Sequence, residues 1–130
     1  MADVERGNRP LSPHLQVYKW PLNMGMSILH RMTGVAIGGV VAIVGLWFLA
    51  AAWSEPVFDW VNWLLTTWIG WIVLLGGAAS LWFHFFNGIR HLVWDTGSSY
   101  GQKRVNRTAL YGLAATTLLT LATIAVAIMY

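Results

Sequence analysis

Cysteine is absent from the 130 residues. That excludes a disulfide and a cysteine-ligated iron–sulfur cluster in this chain. Charge is scarce as well: Asp, Glu, Lys and Arg make up 10% of the sequence, where soluble domains carry about 25%. No G-x-G-x-x-G run occurs, so a nucleotide loop of that type is missing. The scarcity of charge is uneven. Residues Met32 to Ser54, Trp60 to Ile89 and Thr108 to Tyr130 contain no Asp, Glu, Lys or Arg. Each run exceeds the roughly 20 residues that cross the hydrocarbon of a bilayer. The fold class expected is an all-α membrane protein with three transmembrane helices, each hydrogen-bonded within itself as lipid demands.

The charges that do occur give an orientation. All eight Lys and Arg lie in the N-terminal segment (Arg6, Arg9, Lys19, Arg31) or around the second loop (Arg90, Lys103, Arg104, Arg107). The first loop carries only Glu55 and Asp59. The positive-inside rule places the N-terminus and second loop in the cytoplasm, or in the matrix of a mitochondrion. The net charge of +3 reflects that rule, and nucleic acid is not an expected partner. MADVERGNRP has no apolar signal core and carries acids, so the first membrane helix is expected to direct insertion. Trp20, Trp53, Trp60, Trp63 and Trp94 fall near helix ends, where an interfacial belt is expected.

The whole chain, 1–130, reads as one membrane-anchor domain. Residues 1–21 form a surface arm, in which Pro10, Pro13 and Pro21 prevent a continuous helix. Leu15, Val17, Tyr18 and Trp20 would touch the membrane surface or a partner. Helix one spans 22–53, helix two 60–93 and helix three 107–129. The short loop 54–59 makes the first two antiparallel neighbours. Helix three is assigned to packing, with threonines bonding back to backbone carbonyls.

Leu81 to Gly97, LWFHFFNGIRHLVWDTG, is the most informative stretch. His84 and His91 are seven apart and share a helix face. Gly76, Ser80, His84 and Gly88 follow at i, i+4, so small residues lie a turn above and a turn below His84. Cleared space beside an imidazole would let a flat macrocycle lie against the helix, and axial histidine is the usual hold on haem iron. A hydrogen bond from His84 to a neighbouring helix and ordinary small-residue packing explain the same pattern. The second stretch is the start of helix one. Ser27, His30 and Arg31 form a donor cluster at the membrane edge, suited to a carboxylate or carbonyl, and Arg can hold a carboxylate with two parallel bonds. Gly34-xxx-Gly38 permits close helix approach. Antiparallel pairing brings this cluster beside Arg90, His91 and Asp95. His30 opens its uncharged run, whereas His84 lies well inside its own. Their depths are expected to differ by a helical turn or two, which favours a second iron ligand from another polypeptide.

These residues carry a resemblance. RPLSPHLQVYKWPLNMGMSILHRMTG, residues 9–34, resembles the N-terminal part of the cytochrome b subunits of succinate dehydrogenase, the larger membrane anchors of respiratory complex II. The R-P…S-x-x-H-R-x-[S/T] pattern is matched by Arg9, Pro10, Ser27, His30, Arg31 and Thr33. The H-x-x-x-G-x-R-H…D-x-G pattern is matched by His84, Gly88, Arg90, His91, Asp95 and Gly97.

The resemblance implies roles. His84 would be the axial ligand of haem b, with the other axial histidine supplied by a second, small membrane-anchor subunit. His30, Arg31 and His91 would lie near the haem propionates. Ser27 and Arg31 would line the ubiquinone pocket, with Ile28 and Trp20 packing on the ring. Asp95 would belong to a polar proton network. An iron–sulfur subunit and a flavoprotein subunit would oxidise succinate, which this chain cannot do alone. The complex would sit in the bacterial inner membrane, or the mitochondrial one in a eukaryote. An anchor of a quinol:fumarate reductase and a haem-free tether remain open. A small transporter is disfavoured, because the ionisable groups gather toward one side rather than at the midplane.

Overall fold

The computed structural model describes Ser12, His14 and residues 17–129. Within them the chain forms four helices: α1 Leu22–Trp53, α2 Glu55–Thr66, α3 Trp68–Asp95 and α4 Gln102–Met129. Of these, α1, α3 and α4 are long and apolar enough to cross a membrane. The three expected spans are therefore present. Arg9, Pro10, Leu15 and most of the arm lie outside the described residues. The arm's end is tied back, since the Tyr18 hydroxyl donates to Met24 Sδ at 3.3 Å.

The connection between the first two spans differs from the loop expected at 54–59. Only Ser54 is extended there, with φ −165° and ψ 149°. Pro56 stops α1, because its ring cannot follow the preceding turn, and it is tolerated in the first turn of a new helix. The stretch 60–93 is also not one helix. It breaks at Thr67, whose Oγ1 accepts from the Gly70 amide at 3.2 Å and so caps α3. Such a cap is worth about 1 kcal/mol. A Cβ at Gly70 would collide with the backbone carbonyls of Leu64 and Leu65, so the corner needs glycine. The apolar run hides this corner because its signal, Thr67 followed by Gly70, is polar only in one hydroxyl. At the other end of the protein, α4 starts at Gln102 rather than 107, so Lys103, Arg104 and Arg107 are helical.

Contacts between α1 and α3 fix their pairing. Asn23 meets Arg90, Met26 meets Asn87, Gly34 meets His84 and Val40 meets Gly77. Numbers rise along one helix as they fall along the other, so the pair is antiparallel. A Cβ at Gly77 would come within 2.6 Å of a Val40 methyl, so the two helices pack closely there. On the other side of α3, Trp82 Nε1 donates to Thr123 Oγ1 at 3.0 Å and Arg90 Nε to Thr108 Oγ1 at 3.2 Å. So α3 is the central helix, and α4 runs antiparallel to it. Threonines of α4 bond back as expected, Thr116 to Gly112 O at 2.8 Å and Thr123 to Leu119 O at 2.8 Å.

The protein core is thin. Met26, Phe83 and Ala109 form it, with Leu113 packed alongside. Large apolar side chains such as Val35 and Leu92 are 80% and 66% exposed. In water that surface would drive aggregation. In a bilayer it is what lipid tails and neighbouring helices cover.

Candidate functional site

The histidines of α1 and α3 converge. The rings of His30 and His84 stack with centroids 3.9 Å apart and planes 13° from parallel. His91 closes the group, its centroid 5.1 Å from that of His30. This corrects the expected depth difference between His30 and His84. They sit at one level because the antiparallel register sets Gly34, one turn beyond His30, directly against His84. Gly34 makes the fit possible: a Cβ there would stand 3.0 Å from His84 Cε1.

His84 is held through one nitrogen. Nδ1 lies 3.0 Å from the His30 carbonyl oxygen and 3.3 Å from Thr33 Oγ1. A carbonyl only accepts, so Nδ1 carries the proton and Nε2 is left with its lone pair. The Thr33 hydroxyl is itself directed to the Leu29 and His30 carbonyls, at 2.8 and 2.9 Å. A backbone carbonyl on one ring nitrogen is the usual way a ligand histidine is oriented for metal on the other. His30 Nδ1 is buried and has no hydrogen-bond partner among the described residues.

What this cluster can bind is constrained by its shape. Two near-parallel stacked rings do not share a point in both ring planes, so His30 and His84 cannot both point a nitrogen at one iron. Among the described residues no group of three or more His, Cys, Asp or Glu could hold a metal ion. The arrangement leaves His84 able to offer a single nitrogen, and it does not suit a chelate.

A buried polar network stands beside the histidines. Arg90 is 7% exposed. Nη1 donates to Asn87 Oδ1 at 2.9 Å, Nη2 to Asn23 Oδ1 at 2.9 Å and to the Val105 carbonyl at 3.4 Å, and Nε to Thr108. Asn87 Nδ2 in turn reaches the Met26 carbonyl at 3.2 Å. One guanidinium thus joins α1, α3 and α4. Trp94 covers it, with its ring centroid 4.4 Å from the Arg90 Cζ, so this tryptophan serves as a cation–π partner. Sequence reasoning misses Asn23, Asn87 and Thr108. The available signal is Asn87, an amide within an uncharged run three residues before Arg90.

The remaining expected residues are placed differently. Ser27, Arg31 and Asp95 are exposed, Trp20 is 60% exposed and Ile28 is half-buried. His30 turns toward α3, whereas its neighbours Ser27 and Arg31 look outward, so the three donors do not act as one compact cluster. A Cβ added at Gly38 or Gly88 would have nothing within 4 Å; of the Gly34–Gly38 pair, only Gly34 makes the close approach.

Fold and site together define a class: an integral membrane protein whose central span presents a singly tethered histidine to the span before it, at the basic end of the bundle. Comparison with known proteins gives the family. The Succinate dehydrogenase/Fumarate reductase transmembrane subunit family matches residues 5–124. The succinate dehydrogenase cytochrome b556 subunit of Paracoccus denitrificans is 39% identical over 126 residues, covering 97% of each chain. That of Rickettsia felis is 36% identical over 113 residues, 87% of this chain and 88% of its own. The mitochondrial succinate dehydrogenase cytochrome b560 subunit of Sus scrofa is 37% identical over 113 residues, 85% of this chain and 67% of its own. The chain belongs to the succinate dehydrogenase/fumarate reductase transmembrane subunit family.

Proposed function

We propose that this chain is the larger, haem b-binding membrane anchor of a succinate:ubiquinone oxidoreductase in an inner membrane, working as one unit over 1–130. The haem assignment rests on relatives named as cytochrome b556 and b560 subunits, and the 3.0 Å contact of His84 Nδ1 with the His30 carbonyl selects the nitrogen. It leaves Nε2 of His84 as the nitrogen that would hold the haem iron, with a histidine of the small anchor subunit as the second residue to hold it. When bound, haem b supplies a one-electron carrier. His30, with an orphaned Nδ1, His91 and Arg31 are the donors available for its propionates.

Ubiquinone would meet the basic end of α1. Ser27 donates to a quinone oxygen, and Arg31 stabilises the negative charge that develops on reduction. Ile28 and Trp20 offer apolar surface for the ring. Asp95, with ordered water, passes protons toward the reduced quinone. Succinate is oxidised on flavoprotein and iron–sulfur subunits docked at the basic face, since this chain lacks cysteine and a nucleotide loop. A fumarate reductase anchor would use the same residues in the opposite direction.

Two substitutions in the intact complex test this. His84→Leu should abolish the reduced b-type absorbance band, and an unaltered band would exclude His84 as ligand. Arg31→Leu should lower quinone reduction by about a hundredfold to a thousandfold, the range for losing one charge-stabilising donor. Succinate oxidation by an artificial dye should stay intact. Normal quinone turnover in that variant would remove Arg31 from the mechanism.

A further inference from the structure

Between α3 and α4, at their basic end, lies a cavity of about 330 Å³. Phe86, Ile89, Gly112 and Ala115 give it carbon walls, and Arg90, Trp94 and Tyr111 give it a polar end. Its volume is that of roughly ten waters, yet walls of carbon offer water few partners. An apolar chain fits them better.

The polar end supplies donors. Among the described residues the buried Arg90 is bonded only to neutral acceptors, so its positive charge meets no carboxylate through those bonds. Trp94 Nε1 is buried and lacks a hydrogen-bond partner among the described residues. The sequence after Asp95 contains no Asp or Glu, while Lys103, Arg104 and Arg107 stand exposed on the first turns of α4. Arg104, Thr108, Tyr111 and Ala115 recur at i, i+4, i+7 and i+11, so Arg104 lies one turn above the cavity on its own face. Arg107 stands one turn before Tyr111. A slot with apolar walls, a buried cation and a basic rim at the cytoplasmic side is complementary to an anionic lipid.

We propose that this cavity is a binding site for an anionic phospholipid of the positive-side leaflet. One acyl chain lies between α3 and α4. The phosphate lies among Arg104, Arg107 and the donors of the rim. The proposal needs only the membrane orientation and does not depend on the haem or quinone assignments.

The test uses the intact complex, reconstituted in phosphatidylcholine nanodiscs with or without phosphatidylglycerol and then extracted in mild detergent. Retained lipid is measured by native mass spectrometry. The unsubstituted complex should retain phosphatidylglycerol over phosphatidylcholine. Arg104→Gln/Arg107→Gln should lower that preference by about tenfold or more. Gly112→Leu, which fills the cavity, should lower retention of either lipid. Equal retention by both variants and the unsubstituted complex overturns the site, as does equal retention of the two lipids or a quinone found in their place. Should Gly112→Leu fail to assemble, the exposed arginine pair decides alone.

Discussion

Replacing Gly34 by Ala tests the histidine site through the single contact that sets its width. The new Cβ would lie 3.0 Å from His84 Cε1, 3.5 Å from Nδ1 and 3.9 Å from Nε2. The first distance forces the ring to give by a few tenths of an ångström. Two contacts restrict how it can do so. His30 stacks against it with centroids 3.9 Å apart, and Nδ1 is tethered to the His30 carbonyl on the same helix as the intruding methyl. Overpacking of this kind costs about 1–3 kcal/mol. The strain falls on the orientation of His84, so the expected result is a b-type band that is shifted or reduced in amount per complex, together with lower thermal stability. Gly38→Ala is the control. Nothing lies within 4 Å of a Cβ there, and the helix gains up to about 1 kcal/mol from losing a glycine. Haem content, band position and stability that match between the Gly34→Ala complex and the unsubstituted one would refute the claim that Gly34 positions the ring.

Two further substitutions probe the frame around the site. Arg90→Lys should destabilise the complex by about 2–5 kcal/mol, read from thermal or denaturant unfolding, because an ammonium cannot fork to Asn23, Asn87 and Thr108 at once and leaves buried amides unpaired. Stability unchanged in that variant would mean that charge alone, and not the fork, joins the three helices. Gly70→Ala should lower assembly of the complex in the membrane, measured by co-purification with its partner subunits, since the corner after Thr67 cannot take a Cβ without moving Leu64 and Leu65. Normal assembly would show that the corner relaxes freely.

The three spans are legible in the sequence because lipid leaves so few options. Runs of more than 20 uncharged residues can satisfy their backbone only as helices. The convergence of the two polar stretches is legible for a similar reason: a short connection makes the helices antiparallel, and their charged ends then meet. The corner at Thr67 is hidden, because hydropathy reads composition and a capping hydroxyl hardly changes it. The stacking of His30 on His84 is hidden too. Counting residues from the ends of uncharged runs measures depth in each helix separately, and the true level depends on register. Register is set here by Val40 against Gly77 and Asn23 against Arg90, which are pair contacts that no single run contains. Asn87 escapes notice because a lone amide in an apolar run resembles noise until its partner is known.

The way α1 divides its polar groups has a consequence for how the site is completed. The inward groups are bonded within the chain: Asn23 accepts from Arg90, the Met26 carbonyl accepts from Asn87, and the His30 carbonyl accepts from His84. The outward groups, Ser27 and Arg31, are exposed one turn apart. A cation at the membrane edge can reach water by snorkelling and needs no partner for stability, so folding of this chain alone does not account for Arg31 beside the histidines. A partner subunit or quinone at that surface, as proposed above, would account for it. The inward half of the cluster fixes a histidine in one tautomer, and the outward half faces the surface where other subunits and lipid must lie. On this argument the chain supplies one wall of the proposed redox site in finished form, and the opposite wall belongs to another polypeptide.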